Sequence, residues 1–141
     1  MLRFLVADDY ETVRRGLKQI LLEAFPDIHV EEACDTSDLL EKALNDRWDF
    51  IITDIIMPGG NGLEAMKKIK AYDASLPVLL VSTYPEDQYS PHAITAGADG
   101  YVSKNAIPEQ LVTAVEQILS GKKYISKDLL SDPEQNSLFK R

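Results

Sequence analysis

Four times along this chain a short apolar run ends and a polar, reactive residue follows at once. Phe4-Leu5-Val6-Ala7 runs into Asp8-Asp9, and Phe50-Ile51-Ile52-Thr53 into Asp54. Val78-Leu79-Leu80-Val81 runs into Ser82-Thr83, and Tyr101-Val102-Ser103 into Lys104. Between the runs lie amphipathic stretches of helical period, and that alternation predicts a parallel sheet covered on both faces. Parallel strands end on one side of their sheet, so the four reactive ends meet in the crevice where open α/β sheets bind ligands. Three carboxylates, a hydroxyl and an ammonium gathered there suit a phosphoryl group and a divalent metal. Asp54-Ile55-Ile56-Met57-Pro58 adds a turn directly after the second acid.

The remaining pattern supplies the layers. Val13, Leu17, Ile20, Leu21 and Ala24 recur at helical spacing until Pro26, and Ile28–Ala33 alternates as an edge strand. Thr36 or Ser37 is placed to cap a helix carrying Leu39, Leu40, Ala43 and Leu44. Leu63, Met66 and Ile69 line the next helix, after the turn at Gly59-Gly60-Asn61-Gly62. Ala93, Ile94 and Ala96 form a short helix closed by Gly97, and Pro108 opens a last helix that runs to Gly121. The expected fold is therefore α/β: a doubly wound, five-stranded parallel sheet with five helices and right-handed crossovers.

Bulk properties restrict the function. A length of 141 residues suits one domain, and a formal net charge of −8 argues against direct nucleic-acid binding, which needs a Lys/Arg surface. No apolar stretch approaches the ~20 residues of a membrane span. The N-terminus lacks the long apolar region of a secretory signal, and a single cysteine, Cys34, can form no internal disulfide. A reducing cytoplasm is the expected location.

Taken alone, each candidate has a plainer role. An Asp after a strand often only caps the next helix, as Ser82 would. Lys104 is in that light a solvated lysine, and Tyr101 a core aromatic. His29 and His92 have no neighbours suited to metal binding or catalysis, and Trp48 lies about 20 Å from Asp54 at strand rise.

In combination the residues resemble the receiver domain of two-component response regulators, over residues 2 to 120. The resemblance rests on Asp8-Asp9, on Asp54 followed by Met57-Pro58 and Gly62, on Ser82, and on Lys104 preceded by Ala96-Gly97-Ala98-Asp99-Gly100-Tyr101. It implies the flavodoxin-like strand order 2-1-3-4-5, with Asp54 as the phosphoacceptor for a phosphoryl group carried by a histidine of a sensor kinase. Asp9 would bind Mg²⁺ directly, Asp8 mainly through water, and Asp54 and the backbone carbonyl of Ile56 would complete the protein ligands. Lys104 and Ser82 would hold phosphoryl oxygens, and Tyr101 would be the switch aromatic that follows Ser82. As a signalling domain the chain would catalyse only its own phosphotransfer and dephosphorylation.

Two departures from the family stand out. Asn105 follows Lys104 where many relatives have proline and a cis bond, which leaves that bond's geometry open. Ser90-Pro91 implies that the fourth helix starts late, behind a mobile loop at residues 84 to 90.

Gly121-Lys122-Lys123-Tyr124-Ile125-Ser126 looks like the segment after the receiver in the NarL/FixJ subgroup, whose members carry a LuxR-type helix-turn-helix. The resemblance thus implies a receiver at 1–121 and a tail or linker at 122–141 leading to a DNA-binding domain absent from this sequence. DNA would be reached only through that domain, and homodimerisation would follow phosphorylation. Two alternatives remain open on the sequence: a stand-alone receiver acting on a protein partner, and a Mg²⁺-dependent phosphohydrolase with an aspartyl-phosphate intermediate. The second lacks an acid at Ile56. A flavin site is disfavoured because Asp8 and Asp9 occupy the turn an FMN phosphate would need.

Overall fold

The computed structural model describes residues 1–57, 60–82 and 94–125. Strands β1 (Arg3–Ala7), β2 (His29–Ala33), β3 (Phe50–Asp54), β6 (Val78–Ser82), β7 (Gly100–Ser103) and β8 (Tyr124–Ile125) form one parallel sheet in the order β2-β1-β3-β6-β7-β8. A two-stranded antiparallel hairpin, β4 (Ile56–Met57) with β5 (Gly60–Asn61), follows β3. Helices α1 (Glu11–Ala24), α2 (Thr36–Asn45), α3 (Gly62–Tyr72) and α4 (Ile107–Leu119) connect the strands, with a 3₁₀ turn at Lys104–Ala106. Ile94 and Thr95 are helical ahead of Gly97, which takes φ +113°. The loop expected at residues 84 to 90 and the helix start at Ser90 lie outside the described residues.

The central strands are buried on both faces, which is why their sequences read as unbroken apolar runs. One face packs Leu39 and Ala43 of α2 and Ala65, Met66 and Ile69 of α3 against Leu5, Ile51, Leu80 and Tyr101. The other packs Leu17 and Leu21 of α1 and Leu111, Ala114, Val115 and Ile118 of α4 against Phe4, Phe50, Ile52 and Val102. Each fully buried Leu, Ile or Phe contributes about 1.5–3 kcal/mol, enough that a one-residue slip of any central strand would be prohibitive.

The flavodoxin-like α/β fold expected from the sequence is present, with three corrections. The sheet has six strands, because Tyr124–Ile125 runs beside β7 in the register Gly100↔Tyr124 and Tyr101↔Ile125. This pairing needs the glycine at 100: a Cβ there would lie 2.7 Å from Ile118 Cδ1 and 2.9 Å from the Tyr124 carbonyl oxygen. Helix α2 is capped by neither Thr36 nor Ser37 but by Asp35, whose Oδ1 accepts from the Asp38 N–H at 2.7 Å. Asp9 is not a helix cap either, for the N-cap of α1 is Tyr10, without a side-chain capping bond. No described peptide bond is cis, so the Lys104–Asn105 bond is trans.

Candidate phosphoacceptor and metal site

Register alone brings the site together. β1 and β3 are paired through Ala7↔Thr53, which sets Asp8 beside Asp54. β3 and β6 are paired at Asp54↔Val81, and β6 and β7 at Ser82↔Ser103, so Ser82 is the last residue of β6 and Lys104 lies one residue past the end of β7. The chain winds from β1 to β2 on one side and enters β3 on the other. The acids therefore sit at the topological switch point, the crevice where such sheets bind ligands.

Asp8, Asp9 and Asp54 each offer a carboxylate oxygen, and these atoms lie within 4.8 Å of one another. Asp8 is wholly buried, and its Oδ2, like an oxygen of Asp9, accepts no hydrogen bond. Its N–H donates to the Ala33 carbonyl at 3.1 Å, and its Oδ1 accepts from the Tyr10 N–H at 2.9 Å. Its Oδ2 pairs with Lys104 Nζ at 2.8 Å. The same ammonium reaches Asp54 Oδ2 at 2.9 Å, and Asp54 Oδ1 accepts a long bond, 3.4 Å, from the Ile56 N–H. Asp9 Oδ1 is buried as well and finds no hydrogen-bond donor. A desolvated carboxylate oxygen without a donor, beside two further carboxylates, is a donor set for a hard divalent cation such as Mg²⁺.

The electrostatics show the strain of this crowding. Burial pushes the Asp54 carboxyl above its ordinary value; the Lys104 bond and charge pull it down, while the Asp8 charge adds to the rise. Burial by itself would lower the Lys104 ammonium, yet its pairing with Asp8 and Asp54 outweighs this and raises it. Lys104 is thus a fixed cation, and Asp54 a carboxylate held in a place that disfavours its charge.

Of the other candidates, Ser82 is buried at the end of β6, and the Ile56 side chain is exposed on the hairpin beyond Asp54. Tyr101 is wholly buried, set against Leu80 in register and packed among Leu5, Met66 and Ile125. Gly62 closes the site from below: its N–H donates to the Ile55 carbonyl, and a Cβ at this position would collide with the Asp54 carbonyl oxygen. Two residues escape sequence reasoning. Lys104 Nζ lies 5.8 Å from the centre of the Tyr10 ring, and Arg14 Nη1 donates to the Asp8 carbonyl at 2.7 Å. The signal for Arg14 was its place in the first turn of the helix that follows the acid pair.

Comparison with known proteins identifies the family of the fold that carries this site. Residues 4–116 match the response regulator receiver domain. The response regulator UvrY of Escherichia coli K12 is 33% identical over 129 residues, covering 92% of this chain and 59% of that relative. The chain thus spans about three fifths of the length of this curated relative. A crystal structure of a two-component response regulator of the LuxR family from Aurantimonas sp. SI85-9A1 superposes with a TM-score of 0.87 at 30% identity, over 96% of this chain and 97% of that one. Another, TrrA of Thermotoga maritima in complex with Mg²⁺-BeF, superposes with a TM-score of 0.75 at 30% identity, over 84% and 99%. These likenesses support the LuxR-type subgroup that residues 121–126 suggest. With residues 4–116 of its 141 matched, the chain belongs to the response regulator receiver domain family.

Proposed function

We propose that Asp54 accepts a phosphoryl group from a histidine of a sensor kinase, in a Mg²⁺-dependent reaction that switches the conformation of this domain. The observation that carries this is one ammonium, Lys104 Nζ, shared at 2.8 and 2.9 Å by carboxylates from two strands while a third carboxylate oxygen, on Asp9, stays buried and undonated. An Oδ of Asp54 attacks phosphorus as the donor's P–N bond breaks, and the imidazole nitrogen keeps the bonding electrons. Mg²⁺ bound at the site supplies neutralisation of the charge on the phosphoryl oxygens. Asp9 and Asp54 would hold it directly, the Ile56 carbonyl would add a backbone oxygen, and Asp8, paired with Lys104, would act through water.

Lys104 exchanges its carboxylate partner on Asp54 for a phosphoryl oxygen, and Ser82 donates to another. Charge-assisted bonds of this kind are strong enough to bias a two-state element. Tyr101, one strand over, is the residue through which the change reaches the surface. In this reading the chain serves transcription regulation in the cytoplasm, with DNA contacted by an effector outside residues 1–141 and with phosphorylation favouring a homodimer. No described helix is long and apolar enough to cross a membrane. As a signalling domain it catalyses its own phosphotransfer and dephosphorylation.

Intact mass after incubation with acetyl phosphate tests the proposal. A gain of one phosphoryl group, about 80 Da, that requires both Mg²⁺ and Asp54 is the outcome expected from a metal-assisted acyl phosphate. The same gain in Asp54→Asn, or a gain without metal, would refute it.

A further inference from the structure

Arg14 and Arg15 are adjacent on α1 and differ sharply. The Arg15 side chain is 74% exposed, and its one ion pair among the described residues is the i,i+4 contact with Glu11. The Arg14 side chain is 14% exposed, and its guanidinium is divided between two partners: Nε donates to Glu32 Oε1 at 2.9 Å and Nη1 to the Asp8 carbonyl oxygen at 2.7 Å. Glu32 belongs to β2 and lies in register with Val6, two residues before Asp8. The guanidinium therefore spans from the edge strand to the peptide between Asp8 and Asp9. A planar fork can hold two acceptors at fixed angles, which a single ammonium cannot.

We propose that Arg14 is a positioning residue for metal binding, fixing the peptide that joins Asp8 to Asp9 so that the Asp9 carboxylate faces Asp54. The inference rests on the reading of Asp8, Asp9 and Asp54 as a Mg²⁺ site. The Asp8 N–H is held by Ala33, Oδ1 by Tyr10 and the carbonyl by Arg14, while Oδ2 is left with the Lys104 ion pair alone. The turn after it is set by these ties, and among the described residues the Arg14 bond is the one that the peptide leading into Asp9 receives from a side chain of α1. Glu32 holds the guanidinium on that carbonyl and away from the carboxylates, where it would compete with a cation.

Simple electrostatics makes the opposite forecast. A positive charge beside three carboxylates repels a divalent cation, so deleting it should tighten binding. The sign of the effect decides between the two. Mg²⁺ titration calorimetry on the whole chain would compare wild type with Arg14→Gln, Arg14→Lys and Arg15→Gln, each checked for folding by its melting curve without metal. Positioning gives Mg²⁺ binding weakened about fivefold or more in Arg14→Gln, a smaller weakening in Arg14→Lys, and none in Arg15→Gln, as for loss of a charged hydrogen bond. Phosphorylation by acetyl phosphate should then need more Mg²⁺ for half-maximal rate but recover at saturating Mg²⁺. Equal or tighter binding in Arg14→Gln overturns the role, and if that variant does not fold, unchanged binding in Arg14→Lys does the same. Failure of wild type to bind Mg²⁺ would overturn the site itself and this role with it.

Discussion

The two ends of the sheet each hold a cation among acids, and they treat it in opposite ways. At the amino end the Arg3 guanidinium meets Asp46 twice, Nη1 to Oδ1 at 2.8 Å and Nη2 to Oδ2 at 2.9 Å, with Glu31 at 3.4 Å and the Trp48 ring 4.6 Å from its carbon. The fork is satisfied and open to water, and the Arg3 bond, helped by the Arg47 N–H, holds the Asp46 carboxyl down at about 2. At the carboxyl end one ammonium serves two buried carboxylates while a third oxygen, on Asp9, has none, and burial drives the Asp54 carboxyl up. The same kinds of residue give a settled ion pair where water reaches them and an unsettled cluster where it does not. Only the unsettled cluster has free energy to gain from a cation or a phosphoryl group.

Removing the two cations should break the symmetry most visibly. Lys104→Met leaves buried carboxylates without their partner, and the loss of such a partner costs about 3–5 kcal/mol. In urea denaturation, added Mg²⁺ should restore part of this, since the metal takes over the carboxylates. Arg3→Met should destabilise far less, with no recovery in Mg²⁺; comparable losses in the two variants would erase the contrast.

Two glycines sharpen it further. Alanine at Gly62 drives a Cβ into the Asp54 carbonyl, and alanine at Gly100 drives one into Ile118 and the Tyr124 carbonyl. Overpacking of this kind costs about 1–3 kcal/mol at either place. The variants should separate in calorimetry: Gly62→Ala weakens Mg²⁺ binding, whereas Gly100→Ala loosens β8 and leaves the metal site intact.

Asp54→Asn should gain stability where most substitutions lose it. A carboxyl whose folded pKa is raised binds more protons folded than unfolded, so it costs stability as pH climbs through the carboxylate range. Without metal at pH 7 the asparagine variant should therefore be more stable by about 0.5–2 kcal/mol, the usual scale for relieving a functional site. The gap should shrink toward acid pH and on adding Mg²⁺ to the wild type. A less stable Asp54→Asn at pH 7 would show that the Lys104 pair outweighs the burial cost.

The smallest effect lies at the amino end. Asp46 should titrate by NMR near pH 2, and because its folded pKa is depressed, its contribution is present above the ordinary carboxyl range and fades as pH falls toward 2. A midpoint near 4 would mean that the fork does not persist in solution.

Much of this architecture was legible because buried parallel strands announce themselves. Phe4–Ala7, Phe50–Thr53, Val78–Val81 and Tyr101–Ser103 need no partner to be recognised, and parallel pairing then carries Asp8, Asp54, Ser82 and Lys104 to one side. What escaped depends on contacts between distant segments. Two residues, Tyr124 and Ile125, are too few to show a period, and their place in the sheet depends on the missing side chain of Gly100. Whether Asp35 or Thr36 caps α2 is decided by backbone angles that composition does not encode. Arg14 belongs to no motif, and its two partners lie 6 and 18 residues away.

The most direct test of the contrast is a pair of amide NMR spectra, with and without Mg²⁺ and beryllofluoride. The expected result is a set of large shifts at Asp8, Asp9, Asp54, Ser82 and Lys104, abolished in Asp54→Asn, with the Trp48 indole signal unmoved. Shifts centred on Arg3 and Trp48, or none at Asp54, would contradict the assignment of the binding site to the carboxyl end of the sheet.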